Sequence, residues 1–194
     1  MQAGDPIGEQ LARERLEALW NAHYAEVLAF ALRRLADRGA ADDVAAETFL
    51  VAWRRVDAIP ADAARPWLLG VANKVIANSR RGRRRTEALT AKLERTHVNA
   101  VDESLSEQGG KAVMAFNRLK ASDREVLALV VWEDLAPREA AVVLGISSSR
   151  FSVRLHRARQ RLRKELARSG HLVEEEGDLA SAKSDPSTPA METR

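Results

Sequence analysis

The chain has 194 residues, 45% of them apolar, and carries 31 Lys and Arg against 28 Asp and Glu; this is room for one ordinary domain or two small ones, with enough apolar material for a core. It has no cysteine, and its four histidines, His23, His97, His156 and His171, are scattered, which excludes disulfides, thiolate zinc sites and thiol nucleophiles and leaves no close histidine pair to share a metal. No apolar run approaches membrane-spanning length, and the N-terminus MQAGDPIGEQ lacks the basic-then-apolar order of a signal peptide, so the expectation is a soluble, cytoplasmic protein without membrane insertion.

Residues 1–8 read as a disordered N-terminus. From about Glu9 to Leu35 the apolar residues Leu16, Leu19/Trp20, Tyr24, Val27/Leu28, Ala31/Leu32 and Leu35 keep a 3.6-residue period, which predicts one long amphipathic helix. Asp37-Arg38-Gly39 breaks it. A second helix is predicted from about Ala41 to Val56, with Asp42 and Asp43 in its first turn, where negative charge complements the helix dipole. Its Asp42, Asp43 and Glu47 form an acidic face beside Phe49 and Trp53, followed by Arg54 and Arg55. That combination suits a protein partner with a basic groove; dipole complementation plus core aromatics is the plainer reading.

Asp57 to Ala64, with Pro60, reads as a loop. Pro66 opens a third helix that runs into RRGRRR, Arg80 to Arg85. Five arginines in six residues repel one another unless an anion is present. Asn73, Lys74, Asn78, Arg80, Arg81 and Arg84 mix amides with cations; cations neutralise phosphates and amides read base edges. Trp67 is open to two readings, a base-stacking platform or a core residue at a helix start. The absence of any useful alternating segment makes this first part, residues 9–85, an all-helical bundle.

Residues 86–110 lose periodicity and read as a flexible linker, with TEALTAKLER either linker or an extension of the third helix. A second helical unit spans 111–168. Ser122-Asp-Arg-Glu125 has the pattern of a capping box ahead of an apolar run. Pro137 suits a first helical turn, Ala140, Ala141 and Leu144 face inward, and Gly145 can take the left-handed conformation that ends a helix. Ser147 or Ser148 can cap the next helix, in which Phe151, Leu155, Ala158 and Leu162 recur at helical spacing while Arg150, Arg154, Arg157, Arg161 and Lys164 lie largely off that stripe. A basic helix held by a glycine turn against a short supporting helix is a helix-turn-helix, the major-groove reader. The tail, 169–194, is acidic and rich in Ser and Pro and cannot offset its own ordering entropy, so it is expected to be disordered. Its acidity could shield the recognition helix.

The chain resembles a sigma-70 family factor of the extracytoplasmic-function (ECF) type over roughly Leu16 to Arg85 and Phe116 to Leu166. ADDVAAETFLVAW looks like the family's polymerase-docking segment, PWLLGVANKVIANSRRGRRR like its −10 reading helix, and DREVLALVVWEDLAPREAAVVLGISSSRFSVRLHRARQRLR like its −35 reading domain. The resemblance implies an all-α fold of two small domains, a bundle of region-2 type and a helix-turn-helix of region-4 type, joined by the linker. It implies no enzyme activity and no cofactor, metal or catalytic residue. Core RNA polymerase is the implied partner, through the clamp of its largest subunit and the flap of the second largest, together with promoter DNA and an anti-sigma factor.

By the same resemblance Asp42, Asp43, Glu47, Phe49, Trp53 and Arg54 bind polymerase, and Trp67, Asn73, Lys74, Asn78, Arg80, Arg81 and Arg84 bind the −10 element. Ser149, Arg150, Ser152, Val153 and Arg154 face the −35 major groove, with Arg138 and Arg157 on phosphates. The linker threads the active-site and RNA-exit channel, and the protein joins the nucleoid when bound to polymerase. Departures from the family pattern are Ala46 where Gln is frequent, Asn73-Lys74 where Arg-Asn is common, and Ser149-Arg150-Phe151 at the entry to the recognition helix. The segments that mark primary sigma factors are missing. The alternative is a helix-turn-helix regulator that binds duplex DNA without polymerase; a helical adaptor that binds only proteins is disfavoured by the arginine blocks.

Overall fold

The computed structural model describes residues 6–89 and 107–168, and all the regular structure among them is helical. The expected disorder of the first residues and of the tail, the flexible linker over most of its length, and any shielding by the tail lie outside the described residues. Helix α1 runs from Pro6 to Leu35 and so takes in residues 6–8. It stops because Ala36 turns to φ 53°, and Asp37 then caps α2, its side chain accepting from the Ala40 N–H at 2.9 Å.

Helix α2 spans Arg38–Arg54, three residues earlier than the periodicity predicts. Asp42 and Asp43 therefore sit beyond the first turn, which holds no acidic residue. Asp37 performs the N-terminal role expected of them, while Asp42 accepts from Arg38 one turn back at 3.1 Å. The two-residue connection makes α1 and α2 an antiparallel hairpin. Two short 3-10 turns, Val56–Ala58 and Ala61–Ala63, lead into α3, Ala64–Leu89. Thr86 to Leu89 thus extend the third helix.

The three helices meet through small and branched residues. Val27, Phe30 and Ala31 of α1, Ala41, Val44, Ala45 and Ala52 of α2, and Leu68, Leu69, Ala72 and Ile76 of α3 are all buried. Alanine at the contact points lets the axes approach closely, and the longer side chains fill the space between. Thr48 is buried too, its hydroxyl satisfied by the Val44 carbonyl at 2.7 Å.

The second unit comprises α4 (Glu107–Arg118), α5 (Ala121–Val131), α6 (Pro137–Leu144) and α7 (Ser148–Arg168). The capping box expected at Ser122 does not form: the N-cap is Lys120, with no side-chain cap bond. Glu125 is drawn instead to Arg34 of the first unit at 2.9 Å. The cap that does use a glutamate is at α6, where Glu139 accepts from the Ala136 N–H at 2.8 Å, with Pro137 at the first helical position.

The helix-turn-helix forms as expected. Gly145 lies at φ 62°; its N–H bonds Val142 O and the N–H of Ile146 bonds Ala141 O, both at 3.0 Å, which is the Schellman pattern. Ser147 caps α7 by accepting from the Arg150 N–H at 3.4 Å. Phe151, Leu155 and Ala158 are buried against α5 and α6. Asp123 in the first turn of α5 takes both oxygens to Arg161 Nη1 at 2.8 Å, tying α5 to α7.

The two units are not held apart. Their buried residues form one continuous apolar cluster, and α3 packs face to face on α6. Gly70 makes this approach possible: a Cβ there would already touch the Val142 carbonyl oxygen and Val143 Cα at 3.5 Å, so any longer side chain would drive into the α6 backbone.

Because only glycine, and to a lesser extent asparagine, enters the left-handed region at little cost, Gly145→Val is expected to lower stability by about 1–2 kcal/mol and Gly145→Asn by less. Urea denaturation of the two variants against the parent chain measures the difference.

Candidate nucleic-acid and protein interfaces

Burial of Phe151, Leu155 and Ala158 fixes the roll of α7 about its axis, and that roll decides which way its cations face. Ser149, Arg150, Ser152, Val153, Arg154 and Arg157 are all exposed, as is Arg138 near the start of α6. Ser149 shares a 3.1 Å contact with Ser147, and Ser152 donates to the Ser148 carbonyl at 3.0 Å. Arg150, Arg154, Arg157 and Arg161 recur at helical spacing, yet they differ. Arg161 is committed to Asp123, whereas the other three have no carboxylate within ion-pair distance among the described residues. Three guanidinium groups over about 10 Å of helix form an exposed cationic strip, and Arg is the side chain best shaped for bidentate contact with phosphate or a guanine edge.

The nominated face of α3 is mixed. Lys74, Asn78, Arg80 and Arg81 are exposed and Asn73 is half-buried. Arg81 donates to Asn78 Oδ1, which orients the amide. Arg80 also serves the fold, donating to the Arg34 carbonyl at 2.6 Å and so capping the end of α1. Arg84 lies in α3, but its side chain is outside the described residues. Trp67 is half-buried and packs against the core, so packing fixes its position whatever its remaining edge contacts.

On α2 the exposed face carries Asp43, Ala46, Glu47, Leu50, Trp53 and Arg54, and Asp42 is partly covered. Phe49 corrects an expectation. It is 3% exposed and packs against Trp20 and Tyr24 at ring distances of 4.8 and 6.1 Å, so its ring lies in the core and not on the exposed face of α2. Sequence reasoning missed the residues beside it. Trp20, stacked on Tyr24 at 4.4 Å, is 42% exposed and Leu50 is 48% exposed, comparable with Trp53 at 40%. Periodicity placed Trp20 on the apolar stripe of α1, and the stripe cannot tell which of its members the neighbouring helix leaves uncovered. Exposed apolar rings beside carboxylates are the composition of a protein-docking face.

No group of three or more potential metal ligands occurs among the described residues, and no described helix is long and apolar enough to cross a membrane.

A helical bundle with an amide-and-cation face, packed on a helix-turn-helix with an exposed cationic strip, is the architecture of a DNA-binding protein. Residues 19–86 match the family model Sigma-70 region 2, and residues 110–162 match Sigma-70, region 4. The ECF RNA polymerase sigma factor SigL of Mycobacterium tuberculosis is 30% identical over 161 residues, 80% of this chain and 90% of SigL. SigM of Bacillus subtilis, also an ECF RNA polymerase sigma factor, is 27% identical over 151 residues, 76% of this chain and 93% of its own. Among solved structures, the sigma factor RpoE bound to the anti-sigma factor NepR, from Bartonella quintana, aligns with TM-score 0.56 at 22% identity over 83% of this chain and 97% of that one. CnrH in complex with the cytosolic domain of CnrY aligns with TM-score 0.53 at 25% identity, over 81% and 96%. The chain belongs to the ECF sigma factors of the sigma-70 family.

The contrast between Phe49 and Trp53 is testable. Phe49→Ala is expected to lower stability by about 3–5 kcal/mol, as for a large side chain removed from a core. Trp53→Ala should leave stability within about 1 kcal/mol and weaken binding to core RNA polymerase at least tenfold, the loss of an interface anchor of about 1.4 kcal/mol or more. Thermal melts and a polymerase titration on both variants separate the two roles.

Proposed function

We propose that the chain binds core RNA polymerase through the exposed face of α2 and delivers it to promoters, where α3 captures the −10 element and α7 reads the −35 element. The observation that carries this reading is the partition of arginines on α7: Arg161 is tied to Asp123, while Arg150, Arg154 and Arg157 stand exposed along one flank of the buried stripe. A solvated helix face needs no such division. Ser149, Ser152 and Val153, exposed in the first turns of the same helix, supply short polar and methyl contacts to base edges, with Arg138 on a flanking phosphate.

In the first unit, Asn73, Lys74, Asn78, Arg80 and Arg81 form the −10 surface, with Arg84 on the same helix. Capturing an unpaired base costs a few kcal/mol of stacking, which cations on the backbone and the Trp67 edge offset. On α2, Asp43, Glu47 and Arg54 supply the charged contacts and Trp53, joined by Trp20 and Leu50, the apolar ones; Asp42 contributes from the rim. The apolar residues Met114, Val131 and Trp132, exposed on the second unit, suit the polymerase flap or an anti-sigma factor competing for it. The protein acts by binding alone, in the cytoplasm, and not as an enzyme.

Arg154→Ala is expected to reduce transcription from a −35-dependent promoter by about 5- to 150-fold, the equivalent of roughly 1–3 kcal/mol for one good base contact, with affinity for core polymerase unchanged. Glu47→Lys should do the reverse, weakening polymerase binding while the helical content stays constant by circular dichroism. Equal loss of both properties in each variant would overturn the assignment of the two faces. Tight specific duplex binding by the chain alone, with no affinity for polymerase, would favour the regulator reading.

A further inference from the structure

Helix α7 carries eight Lys and Arg residues and one carboxylate residue, Glu165. Two of the eight are paired, Arg161 with Asp123 at 2.8 Å and Arg168 with Glu165 at 3.3 Å. The other six, Arg150, Arg154, Arg157, Arg159, Arg163 and Lys164, are exposed and have no carboxylate within ion-pair distance among the described residues. Like charges one turn apart destabilise a helix, and Arg150 with Arg154, Arg154 with Arg157 and Arg159 with Arg163 are pairs of this kind. Away from DNA, α7 is a cationic face in want of an anion.

Its own chain supplies one. Residues 169–194 carry six Asp and Glu against two Lys and Arg. Four of the six, Glu174, Glu175, Glu176 and Asp178, fall within five positions, shortly after α7 ends at Arg168. Arg168 comes one heptad after Arg161, which itself continues the spacing of Arg150, Arg154 and Arg157, so the helix ends on the flank that carries those cations. The lengths agree as well. Arg157 and Arg150 lie about 16 and 27 Å back along the axis from Arg168, at about 1.5 Å per residue. An extended chain spans at most about 3.5 Å per residue, so Glu174 can reach about 21 Å and Asp178 about 35 Å from the same point. The acidic block can therefore run antiparallel beside Arg157, Arg154 and Arg150. The two remaining carboxylates, Asp185 and Glu192, stand singly, each two positions from a cation, Lys183 or Arg194, and on longer tethers that lower their effective concentration.

We propose that the acidic block from Glu174 to Asp178 docks on the Arg150, Arg154 and Arg157 flank of α7 and masks it until duplex DNA displaces the block. Exposed ion pairs contribute little one by one, but a short tether holds the block at an effective concentration on the order of millimolar. Duplex DNA, with one charge per about 1.7 Å of axis, is the denser polyanion and replaces it. Until then the apparent affinity of α7 for any duplex falls in proportion to the fraction of chain left unmasked.

The masking rests on the reading of α7 as the DNA-binding helix, whereas the docking does not, and two measurements separate them. The chain has no cysteine, so Ala180→Cys accepts a single nitroxide label on the full-length protein, just beyond the block. Backbone amide signals from Arg150 to Arg157 should be broadened by the label, and those of α2 should not. Neutralising the block, with Glu174→Gln, Glu175→Gln, Glu176→Gln and Asp178→Asn together, should abolish the broadening. The same neutralised chain should bind a mixed-sequence DNA duplex at least about fivefold more tightly at low salt, the lower end of ordinary coupling between sites, and the gain should shrink as salt screens the contact. Asp185→Asn with Glu192→Gln removes charge outside the block and should change neither the broadening nor the affinity.

Unbroadened α7 signals in the parent chain, or broadening that survives neutralisation of the block, would overturn the docking. Tighter duplex binding on removing Asp185 and Glu192, in proportion to the charge lost, would reduce the effect to net charge and overturn it too. Docking in a chain that binds duplex DNA equally well with and without the block's charges would overturn the masking. If the block docks as expected but no form of the chain binds duplex DNA, the DNA-reading assignment of α7 fails instead and the contact stands.

Discussion

Glu133 is 3% exposed, and a carboxylate at that depth is tolerable only when its oxygens are fully engaged. Arg33 and Arg34 engage them, and Arg65 takes the carbonyl of the same residue. Since Glu133 belongs to the second unit and the three arginines to the first, satisfying one buried group fixes the position of the whole helix-turn-helix against the three-helix bundle. Gly70 then matters because the axes of α3 and α6 must come close for those charges to meet. Arg34 adds a second constraint: its guanidinium lies over the Phe30 ring and its Nη1 bonds the Phe30 carbonyl at 3.1 Å, so it is held from within α1 as well as by Glu133.

The same logic divides the arginines of this chain into two kinds. Arg34, Arg65, Arg80 and Arg161 have protein acceptors and act as structural struts. Arg138, Arg150, Arg154 and Arg157 are exposed on the helix-turn-helix, and a guanidinium without a carboxylate partner loses little by giving its water to a phosphate or a guanine. Arg161 shows how the distinction is made. It continues the spacing of Arg150, Arg154 and Arg157, but it lies where α7 passes the first turn of α5, and Asp123 captures it.

Much of this was legible in the sequence because it rests on local rules. The helix-turn-helix follows from Pro137, Gly145, a serine cap and a Phe151–Leu155–Ala158 stripe, each acting within a few residues of itself. The acidic face of α2 was legible for the same reason. What local rules misjudged was set by distant residues. Ser122 to Glu125 has the pattern of a capping box, but Glu125 gains more from Arg34, which is 91 positions away. Phe49 looks like a docking residue beside Asp43 and Glu47, yet Trp20 and Tyr24 cover it. Trp20 is exposed although it lies on the apolar stripe of a helix. The contact between the units left no trace in periodicity, because its charges come from the end of α1, the start of α3, the middle of α5 and the segment after it, far apart in sequence.

Tethering two binding units lets each be weak, since binding of one raises the effective concentration of the other. In the two-site reading proposed above, neither α3 nor α7 therefore needs high affinity alone. The Arg–Glu contact between the units and the exposed cations of α7 are separate features of the chain: the first sets how the units sit, and the second what α7 offers to an anion.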